Sequence, residues 1–266
     1  MLLLLVGCGS FGITPAEDAA APPAPGDGGV TETADGGGDG SGPPTRCYAL
    51  SFDGDEDWVE VPDADDLDPT GPSTIEAWVE LTKSASELHV LAHHDHYAAT
   101  GYVLMVHGTT SALVAAEARY YDGAANNAVF APAVTSPFPR NDWTHVAATY
   151  DGANIAIWVD GERKAQRSVS KSPPNANFNG VLKIGHNVKE DNFGWGGRID
   201  EVRISRGVRY SSKFTPQERF DVVDTDTIAL WHFDEGEGTK AHDATGKHEG
   251  TLVGDVKWSE TSCERR

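Results

Sequence analysis

The sequence is short of basic residues, of cysteine and of long apolar runs. Only 21 Lys and Arg stand against 41 Asp and Glu, a formal charge of −20. A field of that sign repels phosphate backbones and argues against nucleic acid as a partner. No run of 18 or more apolar residues occurs, so nothing spans a membrane as a helix. The three cysteines, Cys8, Cys47 and Cys263, are too far apart in sequence for a zinc clip. A 3.6-residue apolar period is missing too, apart from a short turn expected around Thr215–Arg219, where Pro216 suits a first helical position. The chain has no nucleophile-elbow pattern, no phosphate-cradling glycine loop and no zinc-protease helix.

What is present is alternation. The stretch Trp143–Arg163, WTHVAATYDGANIAIWVDGER, reads as two strands joined by Asp151-Gly152 and closed by Asp160-Gly161. Apolar residues occupy both faces, which predicts a hairpin near the centre of the fold. Further strands are expected near 47–53, 58–61, 73–82, 88–93, 101–107, 111–119, 127–131, 163–169, 181–186, 195–205, 227–233 and 250–258. Many short strands with no helices between them predict an all-β molecule of antiparallel sheets packed face to face. About 220 residues follow the N-terminal part, enough for one large sandwich.

The N-terminal part is different in kind. Residues 9–45 hold ten glycines and six prolines, and their only charges are acidic. Such a segment cannot bury enough surface to offset its ordering entropy, and is expected to be a disordered tether. Its span as a flexible coil is roughly 30–35 Å. Residues 1–8, MLLLLVGC, resemble the lipobox of bacterial lipoproteins, although they lack the basic segment with which a signal peptide starts. The resemblance implies acylation of Cys8 and attachment to the bacterial cell envelope, at the outer membrane or cell surface, through the lipid alone. Cys47 precedes the first strand candidate and Cys263 follows the last. They meet if those strands are neighbours; otherwise they are two separate thiols.

Residues 46–266 are expected to form one domain. CYALSFDGDEDWVEVPDADDL at 47–67, STIEAWVEL at 73–81, GYVLMV at 101–106 and LKIGHN at 182–187 resemble the laminin-G-like jelly roll. So do the hairpin at 141–162, WGGRIDEVRISRGVRYSSKFTPQERF at 195–220 and ALWHFDEGEGTKAHDATGKHEGTLVGDVKW at 229–258. The resemblance implies a concanavalin A-like sandwich of two antiparallel sheets with its first and last strands together. It implies a mostly non-catalytic module that binds a glycan, or a glycosylated, extracellular or envelope protein, often with calcium.

Candidate sites follow. Nine carboxylates lie within residues 53–68, but Trp58 and Ala64 stand where an EF-hand has Gly and Glu. By the resemblance, Asp53 and Asp243 are the better calcium ligands, with Asp57 beside Asp53. The alternative is that these carboxylates cap tight turns on a solvated acidic rim. His94 and His96, in the run 93–96, together with Tyr97 and Trp195, are expected to contact the ligand, with Trp58, Trp78 and Trp158 as further stacking candidates. No ExDxxE-type string of the related glucanases occurs. A structural envelope component and a divergent glycoside hydrolase are the alternatives to recognition.

Overall fold

In the computed structural model the described residues are 47–68, 70–83, 87–95, 100–108, 114–122, 126–130, 138–169, 180–188 and 193–264. The expected tether and Cys8 lie outside them. Residues Pro43–Arg266 cluster as one unit.

Strands are numbered in chain order, and every pairing is antiparallel. The first sheet runs β10 (Glu162–Ser168), β9 (Asn154–Val159), β8 (Trp143–Tyr150), β3 (Ser73–Leu81), β12 (Gly196–Arg206), β1 (Cys47–Asp53) and β16 (Lys257–Thr261). β12 is long enough to pair β1 with its first half and β13 (Thr227–Trp231) with its second. The second sheet runs β14 (Lys240–Ala241), β15 (Gly250–Val253), β2 (Trp58–Val61), β11 (Leu182–Ile184), β4 (Glu87–Asp95), β5 (Thr100–Gly108), β6 (Val114–Asp122) and β7 (Asn126–Phe130). This is the two-sheet antiparallel sandwich that the alternation predicts.

The first and last strands are neighbours, with Cys47 opposite Thr261. Cys47 and Cys263 form a disulfide, their Cα atoms 5.2 Å apart.

Period-two patterning explains the core. In β3, Ile75, Ala77, Val79 and Leu81 point between the sheets, where they join Leu50, Val146, Ile157, Ile199 and Trp231. Fully burying each large aliphatic side chain stabilises by about 1.5–3 kcal/mol. The alternate residues of β3 are buried as well. Trp78 packs with Phe220 and Leu230, and Trp158 with Tyr210 and Phe214. The segment after β12 therefore lies across the outer face of the first sheet.

That segment corrects the short helical turn expected at Thr215–Arg219. Its backbone is irregular because the sheet takes its polar groups. Phe214 N–H donates to Gly161 O at 3.1 Å, Gln217 O accepts from the Trp78 indole at 2.8 Å, and Phe220 N–H donates to Glu201 at 2.8 Å. A side chain at Gly161 would overlap the Phe214 carbonyl.

Two further corrections concern placement. The hairpin β8–β9 is not central, since β9 adjoins the edge strand β10. The run 250–258 is two strands in different sheets: β15 pairs β2 and β16 pairs β1. Gly254, at φ 79°, makes the turn between them.

Candidate functional site

Where the chain crosses from β15 to β16 it meets the β1–β2 loop. Asp53, Asp55, Glu56, Asp57, Gly254 and Asp255 line an open depression of about 630 Å³ there. Local hydrogen bonds shape it. Asp53 Oδ1 accepts from Asp55 N–H at 3.0 Å, an Asx turn next to Gly54, whose φ is 92°. Asp57 Oδ2 accepts from Asp53 N–H at 3.0 Å, and its Oδ1 from Asp255 N–H at 2.5 Å. One buried carboxylate thus joins both loops. Burial pushes the Asp57 carboxyl up, with the Asp53 carboxylate adding to the rise, and the two backbone N–H groups oppose it. Lys83 donates to the Asp53 carbonyl at the rim.

Trp58 follows directly and is half-buried in the second sheet. Its indole N–H donates to Glu60 at 3.3 Å, and the Lys183 ammonium stands 3.8 Å from the ring centroid. His186 is tilted against it at 5.4 Å. Lys183 and His186 therefore pack on Trp58, which offers less ring face to a sugar than an open platform would.

The other concentration of carboxylates is on the covered face of the first sheet. Glu76 is fully buried. Its Oε1 accepts from Arg203 Nη2 at 2.7 Å and Nε at 2.8 Å. Its Oε2 accepts from Tyr210 OH at 2.6 Å and lies 3.1 Å from His145 Nε2. Burial alone would raise its pKa, but His145, Arg203 and Tyr210 together hold it below the usual carboxylate range. Glu80 pairs with Arg198. Glu201 sits at φ 49° where β12 bulges against β3, so its side chain turns toward Phe220 N–H and His232 Nδ1, at 2.8 and 2.9 Å. Glu76 and Glu201 are consumed by cations and backbone donors beside Tyr210 and Phe220, and Glu80 by Arg198, so none of the three is an open acid or base.

A match to known families decides the ancestry. Residues 53–213 match the model of the Concanavalin A-like lectin/glucanases superfamily. The chain belongs to that superfamily. No curated protein matches the sequence. Among solved structures, a candidate carbohydrate-binding protein of Bacteroides ovatus shares 20% identity with a TM-score of 0.62, over 84% of this chain and 63% of its own. The chain therefore spans less than two thirds of that protein. The sialidase CBM40 of Ruminococcus gnavus is 14% identical with a TM-score of 0.45, over 60% of this chain and 92% of its own. Domains LG4-5 of the mouse laminin alpha1 chain give 14% and 0.44, over 65% and 45%. At these identities the likeness is one of fold.

On this concanavalin A-like scaffold the expected site residues separate. Asp53 and Asp57 are together in the depression. Asp243 is not with them. It lies beyond the other end of β15, where it bridges to Trp231 and its carboxylate accepts from Leu230 N–H, Thr245 N–H, Lys247 N–H and His248 N–H at 2.8–3.1 Å, and from the Thr245 hydroxyl. It organises a turn, and the expected triad does not form. Among the described residues, no three His, Cys, Asp or Glu side chains form a group that could hold a metal ion. Trp195 is 0% exposed, its indole N–H directed at the carbonyls of Glu80 and Arg198 at 3.3 and 3.2 Å. It is core, because the glycines around it let the chain close over the ring rather than open it. His94 pairs in register with Gly101. His96 and Tyr97 lie outside the described residues. Sequence reasoning missed Asp255, since the Gly254-Asp255 turn signal sits inside an apparent strand.

Proposed function

We propose that this superfamily member is a non-catalytic glycan-recognition module whose ligand sits in the acidic depression between the β1–β2 and β15–β16 loops. The observation that carries the reading is a contrast of exposure. The carboxylates on the sheet face are buried and paired, whereas Asp53, Asp55, Glu56 and Asp255 of the loop pair open onto solvent around a concavity, above the buried Asp57. Open carboxylates accept hydrogen bonds from sugar hydroxyls, and charge-assisted bonds of this kind are about twice as strong as neutral ones. Membership of a superfamily described by lectins and glucanases supports a sugar, and the pairing of Glu76, Glu80 and Glu201 with cations and backbone donors favours binding over hydrolysis. Asp57 is committed to the two backbone N–H groups beneath, so calcium enters the proposal through the exposed Asp53 and Asp55, whose hard oxygens suit it. They are too few to enclose the ion, so glycan hydroxyls would complete its shell, and Asp243 takes no part.

A glycan array probed with the full chain, in calcium and in EGTA, tests this. Binding to a restricted set of glycans is expected, with at least a tenfold loss in the variant Asp53→Asn with Asp55→Asn. Binding that is indifferent to this variant, or no glycan binding in either buffer, would overturn the reading. Full binding in EGTA would remove calcium from it and leave the depression in place.

A further inference from the structure

The last strand is held to the sandwich at few points. β16 lies at the edge of the first sheet and, among the described residues, pairs only with β1. None of its five residues is buried. Val256 and Trp258 pack partly against the core, and the Trp258 indole N–H donates to Gly238 O at 2.9 Å. Beyond these contacts the strand is fastened by the bridge. Cys47 stands opposite Thr261, and Cys263 follows two residues later. An edge strand with so little apolar burial opens locally at a cost well below that of global unfolding, and a covalent tie at its far end opposes that opening.

What β16 positions is one wall of the depression. Asp255 comes two residues before Lys257, the first residue of the strand. Its N–H donates to the Asp57 carboxylate, which also accepts from Asp53 N–H at 3.0 Å. The seating of β16 on β1 therefore holds Asp255 over Asp57, and through that carboxylate it keeps the two loops in register. If the strand leaves, the Gly254-Asp255 turn loses its anchor on one side.

We infer, on the reading that the depression is the ligand site, that the Cys47–Cys263 bridge is a redox switch on it: reduction by a dithiol frees β16 from β1 and lets the Asp255 wall part from the β1–β2 loop. The release of the strand itself does not depend on what the depression binds. Cys263 is exposed and Cys47 is buried, so the outer sulfur is the one a thiolate reaches first. A thiolate of the dithiol bonds to Cys263 Sγ, the bridging S–S bond breaks, and Cys47 leaves as a thiolate. The second thiol then displaces Cys263 Sγ and closes the reagent into a cyclic disulfide. The two protons of the dithiol end on the two cysteines, and the bridge gains the two electrons that the dithiol loses. Exchange with an oxidised dithiol runs the same steps backward and restores the strand.

Amide hydrogen exchange of the full chain, read by NMR with and without dithiothreitol, tests this. In the reduced chain the amides of β16 and of Asp255 are expected to exchange at least tenfold faster than in the oxidised chain, and at least tenfold faster than those of β3 and β8 in the same sample. Glycan-array signal is expected to fall at least fivefold on reduction. The double variant Cys47→Ser with Cys263→Ser is expected to show the fast exchange without dithiothreitol and no response to it. Unchanged exchange in β16 would overturn the inference. So would fast exchange in β16 with an unmoved Asp255 amide, since the wall would then be independent of the strand. Exchange in β3 and β8 as fast as in β16 would also overturn it, showing the bridge to be a staple for the whole domain. An array silent in both redox states would sink the glycan reading alone, and the Asp255 amide would still decide the switch.

Discussion

At the scale of single residues, the molecule separates carboxylates that hold structure from those that face outward. Asp243 is the clearest of the first kind. Burial raises its pKa, but the Thr245 hydroxyl and the backbone N–H groups of Leu230, Thr245 and Lys247 outweigh that and hold it below the usual value of 3.8. Its contribution is therefore complete above about pH 4 and is lost as pH falls through the depressed folded value. Glu76 follows the same rule through His145, Arg203 and Tyr210. Truncating Asp243→Ala orphans several N–H groups at once, and each buried one left unsatisfied costs about 1–3 kcal/mol. We expect a loss of about 3 kcal/mol in urea unfolding at pH 7 that shrinks as the pH is lowered below 4. A loss under about 0.5 kcal/mol would show that water replaces the carboxylate. The aspartate after a histidine in HDATG is visible in the sequence. Whether it holds a metal or a turn is not, because both uses want a short carboxylate in a tight loop.

At the scale of elements, alternation located nearly all the strands. β1, β2, β3, β8 and β9 lie within a residue or so of their expected limits, because side chains along a strand alternate between its two faces and turn residues end the alternation. The failures share a cause. The break at Gly254 and the irregular path of Thr215–Arg219 are set by what lies across the sandwich, which no local pattern records. Trp58 and Trp195 look alike in sequence, yet one is half-buried and the other fully buried. Gly254 is a direct test of the crossing. A left-handed backbone costs a residue with Cβ about 1–2 kcal/mol. Here the added atom would also press on the Glu56 carbonyl and the Asp57 carboxylate. Gly254→Ala should destabilise by at least about 2 kcal/mol and weaken glycan binding by distorting the depression. Unchanged unfolding and unchanged binding together would show that the two loops are not coupled as described.

At the scale of the whole molecule, the sandwich is closed by the disulfide across 216 residues of sequence. Chain-entropy arguments give a closed loop of that length up to about 5 kcal/mol of stabilisation, with measured values often lower. Replacing Cys47→Ser and Cys263→Ser together should lower unfolding stability by about 2–5 kcal/mol while the far-ultraviolet dichroism stays that of a sheet protein. A variant as stable as the parent would show that the β1–β16 ladder alone holds the seam. The pairing is legible in outline, since Cys47 and Cys263 stand at the two ends of the strand-bearing region.

The same seam makes the domain portable. Its first and last strands finish at one corner, 5.2 Å apart at the bridged Cα atoms, so the fold is almost a ring in connectivity. A few spliced residues would complete that ring, and the cut could be moved to the exposed Asp151–Gly152 turn without losing a strand. The circularly permuted domain would keep every ladder, and the native one would drop as a cassette into any host loop whose stems are close together.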